Sequence, residues 1–463
     1  MAKSGSTIKF VVMSILGIFL FMVPLPTTDA DGERVFNIPL GFAINWLGGL
    51  INSVEVNGHV LLVLVTSIIV TISFLSSLLV YIFKPAFIMN SDKLKGIFYC
   101  NIVYFISKAI AVALVWMVFF RVEGFDWLLD RWDGAGLMLI ELASGNGGLI
   151  AIFLVIGIAI PILTDFGLME FLGTLIRKFM RGLFTLPGRS SIDLLGSWFS
   201  SSAASVIITR DQYEKGYYTG REASAICVNF TLVSLPFTFV VAGAIGLMPN
   251  FGAFYLVICV TAILLAILMP RIWPLRRIKD EYLPDVGKQI QEESEDNTPL
   301  FTRAVNLGSQ RAANTGPSDV VKYGTFNWLN IFMDLIPVII AWGTIGLVIN
   351  ANTPIFDWLS WPIGQYMRLL QVPYAMEYAP AAIVGFIDMF IPAVLLSDAP
   401  FNTRFILGAL SIVQIIYLAE TGILILKSRI PLNIGHLAII FLMRTIIALP
   451  IITLFTWLLF SVF

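Results

Sequence analysis

The sequence predicts an all-α polytopic membrane protein of about nine transmembrane helices plus two re-entrant hairpins, set out as inverted repeats. Three observations predict it. Apolar residues make up 58% of the chain against 13% charged, and runs such as 61–83, 110–120 and 251–269 approach the roughly 20 residues that cross a bilayer as a helix. Lys and Arg gather on alternate connections, the pattern that sets membrane orientation. A Ser-rich apolar stretch at 190–209, too short for two crossings, has a counterpart near 385–397 within a series of elements that repeats in reverse orientation.

From the N-terminus, the apolar run 10–23 follows Lys3 and Lys9 and precedes Thr28-Asp29-Ala30. That combination is shared with secretory signals, and the run is read here as a membrane helix. Residues 1–146 supply three helices and an outer segment, 125–133, rich in Trp and Asp, whose aromatics suit the headgroup layer. With the N-terminus in the cytoplasm, most of the 29 basic residues fall inside: Lys3 and Lys9, Lys84, Lys93 and Lys95, those of 177–221 and 271–322, then Lys427 and Arg429. Only Arg34, Arg121, Arg131, Arg368 and Arg404 fall outside, while Lys108 and Arg444 lie within helices. The bias favours this orientation over its inverse, and the expected location is a bacterial cytoplasmic (inner) membrane.

The first repeat is expected over 147–275. A helix at 147–165 runs inward and an amphipathic segment at 171–181 lies at the interface. Both flanks of 190–209 are basic and inner, so this stretch enters the membrane and returns. Irregular backbone at that depth survives where protein or a water-filled cavity satisfies it. The turn, Ser200-Ser201-Ser202-Ala203-Ala204-Ser205, brings hydroxyls and small side chains that either line a solute path or only permit close helix packing. Thr219-Gly220-Arg221-Glu222 fits a capping box that starts the next helix. In mid-membrane, Asn229, Thr231 and Ser234 precede Pro236, which cannot donate a backbone hydrogen bond and frees carbonyls in the preceding turn. Those groups suit a solute or a cation, and a plain kink is the alternative.

Residues 276–325 form a polar connector with mixed charge, read as partly helical and solvated. The second repeat, 326–463, reproduces the order: a helix at 328–348, an amphipathic segment at 356–370, a hairpin at 379–396, then helices at 405–426 and 437–459. Gln414 and Glu420-Thr421-Gly422 take the place of the first break, with glycine loosening the helix.

The run Pro187-Gly188-Arg189-Ser190-Ser191-Ile192-Asp193-Leu194-Leu195-Gly196-Ser197-Trp198-Phe199-Ser200-Ser201-Ser202, followed by Tyr217-Tyr218-Thr219-Gly220-Arg221-Glu222-Ala223, resembles the Gate, or nucleoside recognition, domain. The whole chain resembles its YjiH-like branch, with the likeness covering about 140–463. That domain is similar to the core of concentrative nucleoside transporters. The resemblance implies a solute site between the two hairpin tips and two interrupted helices, elevator-like alternating access, and a static N-terminal scaffold that makes oligomer contacts. Spore maturation proteins and ferrous iron transporters share the domain, so it names no substrate. The Walker-type loop of the iron transporters' GTPase is absent from the sequence.

An ionisable group inside a membrane costs a few kcal/mol and needs a partner or a purpose. Glu420, Asp388 and Asp193 are the candidates for carrying a proton or holding sodium. Arg444 is expected to be a counter-ion for one of them, and Lys108 for another such as Glu141. Ser200, Ser201, Ser202, Asn229, Thr231, Ser234, Asp388 and Thr421 are the candidate solute contacts. Cys100, Cys227 and Cys259 sit in apolar runs without paired spacing and read as free thiols. His59 and His436 lie far apart in sequence, which argues against a transition-metal site. The near-neutral charge argues against a nucleic-acid partner, and no nucleophile or metalloprotease motif is present. The leading expectation is a secondary carrier of a small polar organic solute, nucleoside-like or amino-acid-like, coupled to sodium or protons, homo-oligomeric, without a cofactor. A non-transporting membrane assembly protein is the rival, and a channel a distant third.

Overall fold

In a computed structural model of the chain, the residues described are 4–460 except 24, 29–33, 53–54, 57–58, 100–101, 130–148, 192–193, 195–201, 231–234 and 289–297. The N-terminal part comprises α1 (Ser4–Met22), a two-stranded antiparallel ribbon of β1 (Leu25–Thr28) and β2 (Arg34–Asn37), α2 (Pro39–Asn52), and a second ribbon of β3 (Glu55–Val56) and β4 (His59–Val60). It continues through α3 (Leu61–Phe83), the short α4 (Ala86–Met89) and α5 (Asp92–Phe98), α6 (Ile102–Phe119) and α7 (Asp126–Leu129). The two ribbons are short additions to a mostly helical chain. Strands of four and two residues are too short to show a period-two pattern.

Membrane character is visible in how α3 packs. Its buried side includes Thr66, Ser67, Ser73 and Ser77, while Ile68, Ile72, Leu75, Leu79 and Ile82 face outward. This is the reverse of a water-soluble amphipathic helix and suits lipid outside with small polar residues at helix contacts. The hydroxyls are satisfied locally: Thr66 and Ser67 donate to the carbonyls of Leu62 and Val63 at 2.7 and 2.8 Å. Helices long and apolar enough to cross a membrane cover Leu61–Phe83, Met248–Arg277, Pro317–Asn352 and Ile434–Phe460, and shorter apolar helices cover Gly5–Phe21, Tyr104–Phe119 and Phe401–Val413. The chain is therefore a multi-pass membrane protein.

The first unit follows as α8 (Leu149–Thr164), α9 (Leu168–Phe184), α10 (Ser202–Glu214), the interrupted pair α11 (Gly220–Asn229) and α12 (Leu235–Ala244), and α13 (Phe251–Leu268); the turn of the hairpin expected at 190–209 lies outside the described residues. Between α8 and α9 the chain bends by 58° at Gly167, whose φ of 98° is costly for any residue with a Cβ. After α14 (Leu300–Asn314), the second unit runs α15 (Pro317–Asn330), a π-helical turn at Ile331–Leu335, and α16 (Ile336–Asn352). Next come α17 (Ile355–Leu369), the hairpin α18 (Ala375–Val384) and α19 (Ile391–Leu395), the interrupted pair α20 (Phe401–Val413) and α21 (Ile423–Leu426), and α22 (Ile434–Phe460).

Specific contacts establish that the interrupted pairs run in opposite directions. α11 begins against Pro431, whose Cγ lies 3.0 Å from where a Cβ on Gly220 would stand, beside the end of α21. α20 begins where α12 ends, with Arg404 donating to the carbonyl of Ile245 at 3.0 Å. Each pair thus starts at the end of the bundle where the other finishes.

The connector is docked at two places. Near its start, the amide of Gly220 donates to Glu281 O at 2.9 Å, Thr219 donates to Asp280 at 2.6 Å, and Arg429 pairs with Asp285 at 2.9 Å. Later, α14 buries Ala304, Gly308, Ser309 and Ala312 against α1 and α9. Its Arg311 reaches Asp165 at 3.1 Å and Glu170 at 3.6 Å. Burial holds the Glu170 carboxyl above the usual range. The start of the connector stays largely exposed, as expected, while a solvated connector is corrected over α14, because small residues let it lie close to the α8–α9 bend.

Candidate functional site

Each repeat interrupts its helix at the middle of the bundle. α11 opens with the predicted capping box: Thr219 accepts from the Glu222 amide at 3.2 Å, and Glu222 accepts from the Thr219 amide at 2.9 Å. It ends at Asn229, with Phe230 as its C-cap, and α12 resumes at Leu235. The second break begins at Gln414, and ordinary helical geometry returns after a π-helical turn at Leu418–Gly422.

Helix ends leave carbonyls without intrahelical partners, and those of α20 can be traced. Tyr417 folds back to donate its hydroxyl to Ser411 O at 2.7 Å and Ile412 O at 3.1 Å. Gln414 O accepts from the Ile416 amide at 2.8 Å across Ile415, a β-branched residue at φ 66° where strain is expected. Thr421 braces the turn by accepting from the Tyr417 amide at 3.3 Å and donating toward Ile415 O and Tyr417 O at 3.2 and 3.3 Å.

Val413 O is taken by Arg444 of α22, through Nε at 2.9 Å and Nη2 at 2.6 Å. The same guanidinium reaches the other break, donating from Nη1 to Val228 O at 3.0 Å and to Asn229 Oδ1 at 2.8 Å. Arg444 is fully buried. One side chain therefore closes the C-terminal ends of two opposed half-helices.

Among the described residues, two amides at this junction keep a polar atom without a partner. Asn229 gives its oxygen to Arg444, which fixes the flip and leaves buried Nδ2 without a partner. Gln414 donates Nε2 to Ala382 O and Thr445 Oγ1, both at 2.8 Å, leaving buried Oε1 unpaired. Gln414 Oε1 faces the second hairpin tip and lies 2.7 Å from where a Cβ on Gly385 would stand. The tip is tied to the break by Leu418 N donating to Phe386 O at 2.8 Å. It also touches the first repeat through the Phe237–Phe390 ring contact. One unpaired donor and one unpaired acceptor, each costly to bury alone, mark the junction as a place for a polar ligand or ordered water.

Of the residues singled out in the sequence, Asn229 lies at this junction and Thr421 on the far side of the second break. Asp388 is 4% exposed in the second hairpin tip, where its Oδ1 accepts from the Phe390 amide at 2.8 Å. Ser202 opens α10, and Glu420 lies in the π-helical turn, but the side chains of both lie outside the described residues. Asp193, Ser200, Ser201, Thr231 and Ser234 also lie outside them. Of the three carboxylates expected to pair with Arg444, Glu420 and Asp193 have side chains outside the described residues; the described bonds of Arg444 go to helix-end oxygens, which suits a cation because carbonyls carry the negative end of the helix dipole. Lys108 meets Ser77 Oγ at 3.1 Å and Ile97 O at 3.2 Å, and Glu141 lies outside the described residues. Tyr417 and Ile415 escaped the sequence reading, since nothing local marks a tyrosine that folds back or an isoleucine in the left-handed region. Among the described residues no group of three or more His, Cys, Asp or Glu is placed to hold a metal ion.

Fold and site together define a polytopic membrane protein with two inverted units whose broken helices meet at a buried arginine. The family model described as "Gate: Nucleoside recognition" matches residues 148–248, so it takes in the first unit up to the end of α12 rather than the whole of 140–463. The chain is 41% identical over 451 residues to an uncharacterized protein of Alkalihalophilus pseudofirmus, BpOF4_10220, covering 96% of this chain and 93% of the relative. The chain belongs to the family of that relative, and 148–248 is its Gate (nucleoside recognition) domain. Among solved structures, CNTnw with two substitutions in an outward-facing state is 14% identical at a TM-score of 0.39, covering 90% of this chain and 99% of that one. CNTnw in an inward-facing substrate-bound state is 14% identical at a TM-score of 0.38, covering 86% and 98%.

Proposed function

We infer that the protein is a secondary active transporter of a small polar organic solute, nucleoside-like or amino-acid-like, working by elevator-type alternating access. The observation that carries this reading is the junction of the two breaks. Opposed half-helices end there together, and Asn229 Nδ2 and Gln414 Oε1 are buried with no partner among the described residues. A ribose hydroxyl, or the donor–acceptor edge of a base, satisfies such a pair. The Gate match over 148–248 favours a nucleoside over an amino acid.

In this reading Asn229 and Gln414 contact the solute, with Thr231, Ser234, Asp388, Thr421 and the Ser200, Ser201, Ser202 turn as further contacts. Glu420, Asp388 and Asp193 are the candidates for ion coupling, by sodium or a proton. The protein sits in a bacterial inner membrane as a homo-oligomer with its N-terminus in the cytoplasm. The rival, a membrane assembly protein, draws on the saturation of Thr421, Tyr417 and Arg444 by internal bonds.

The test is thermal unfolding of the purified protein against nucleosides, nucleobases, amino acids and small peptides, followed by uptake of any stabilising compound into proteoliposomes. A ligand selective for the native state raises apparent stability by mass action. A stabilising solute that is also taken up, with both effects lost in Asn229→Ala, supports the carrier. Stabilisation and uptake by nothing in the panel moves the reading to the assembly protein.

A further inference from the structure

The C-terminal carbonyls of an α-helix carry roughly half a negative elementary charge. In carriers built of interrupted helices, such carbonyl ends are where a coupling cation is held. Here the C-terminal ends of α11 and α20 meet, so about one full negative charge from helix dipoles is concentrated in the interior. Among the described side chains, one permanently charged guanidinium faces it. Three different oxygens, Val228 O, Asn229 Oδ1 and Val413 O, lie within 3.0 Å of its nitrogens. They come from two breaks far apart in the chain and converge on Arg444, which is 0% exposed.

We propose that Arg444 is a resident cation, filling the position of a coupling sodium ion where the two breaks meet, so that the protein does not bind sodium at this junction. The inference rests on the transporter reading only in naming the displaced ion as a coupling ion. The charge balance and the oxygen cage stand without it. Arg444 is thus a positioning residue that holds both half-helix ends in register while Asn229 Nδ2 and Gln414 Oε1 keep no partner among the described residues. A merely structural arginine would be replaceable by packing alone. A resident cation leaves behind an oxygen-lined space that another small cation can enter.

The experiment follows thermal unfolding of the full-length purified protein in sodium, potassium and choline chloride at equal ionic strength, without solute. The native protein is expected to unfold at the same temperature in all three. Arg444→Ala is expected to unfold at a lower temperature, with part of the loss restored by low-millimolar methylguanidinium or by sodium and none by choline. A sodium-specific rise in the native protein that Asn229→Ala abolishes would overturn the proposal. So would an Arg444→Ala protein that folds and is restored by no cation. Should that variant not survive purification, the native cation series and Asn229→Ala decide alone. Because no solute is present, this outcome is separate from whether the protein carries nucleosides.

Discussion

Asn229 and Gln414 show how much a single amide can do when its flip is decided by its neighbours. In Asn229→Asp an acceptor still meets Arg444, but the unpaired donor is gone. This variant is expected to remain folded yet lose solute-dependent stabilisation, read in the same unfolding assay. Asn229→Ala removes the acceptor as well, and is expected to lower stability by about 1–2 kcal/mol, the scale of a charge-assisted or buried interhelical hydrogen bond, measured by denaturation in mixed micelles. Gly385 is sensitive for a different reason. A methyl there stands 2.7 Å from Gln414 Oε1, so Gly385→Ala is expected to displace the amide and weaken solute binding, seen as a smaller thermal shift.

At the scale of elements, close approach by small residues governs the packing. α8 and α15 cross where a Cβ on Gly157 would lie 2.2 Å from Trp328 Cδ1, and Trp328 Nε1 donates to Leu154 O at 3.0 Å. Gly157→Ala is expected to cost about 1–3 kcal/mol by overpacking, read as a lower unfolding temperature. The docking of α14 depends on Arg311 bridging Asp165 and Glu170. Arg311→Ala is expected to speed hydrogen exchange across 300–314 while leaving α20 and α22 unchanged. The π-helical turn within the continuous helix Pro317–Asn352 turns Met333 O toward Ser73, which donates to it. Such turns recur at functional sites, and this one joins α3 to the first helix of the second unit.

For the whole molecule, the proposed orientation has a topological consequence. Single-cysteine variants at Asn352, which ends α16, and at Ser428, in the turn after α21, should lie on opposite sides of the membrane. In intact cells, an impermeant maleimide is expected to label the position at 352 and to reach the one at 428 only after permeabilisation. Labelling of both, or the reverse pattern, would refute the assigned orientation. Much of this architecture was legible in the sequence. The order helix, amphipathic segment, hairpin, interrupted helix, helix can be read twice because apolar run length and charge placement are local properties. The capping box at Thr219 was legible for the same reason, since both its partners lie within one turn.

The sequence by itself determined that the chain is a membrane protein, that it holds two units in the same order, and that polar residues interrupt its helices near Asn229 and Gln414. Composition, run length and spacing carry these, and none depends on what lies opposite in space. Only the tertiary structure decided that the second break opens at Gln414, ahead of Gly422, and that α14 is docked. It also decided that Arg444 bonds helix-end oxygens. Each depends on partners remote in the chain, such as Arg444 with Val228 O, Leu418 with Phe386 O and Arg311 with Asp165. A buried charge takes whichever oxygen the fold brings to it, and spacing along the chain does not say which one that is.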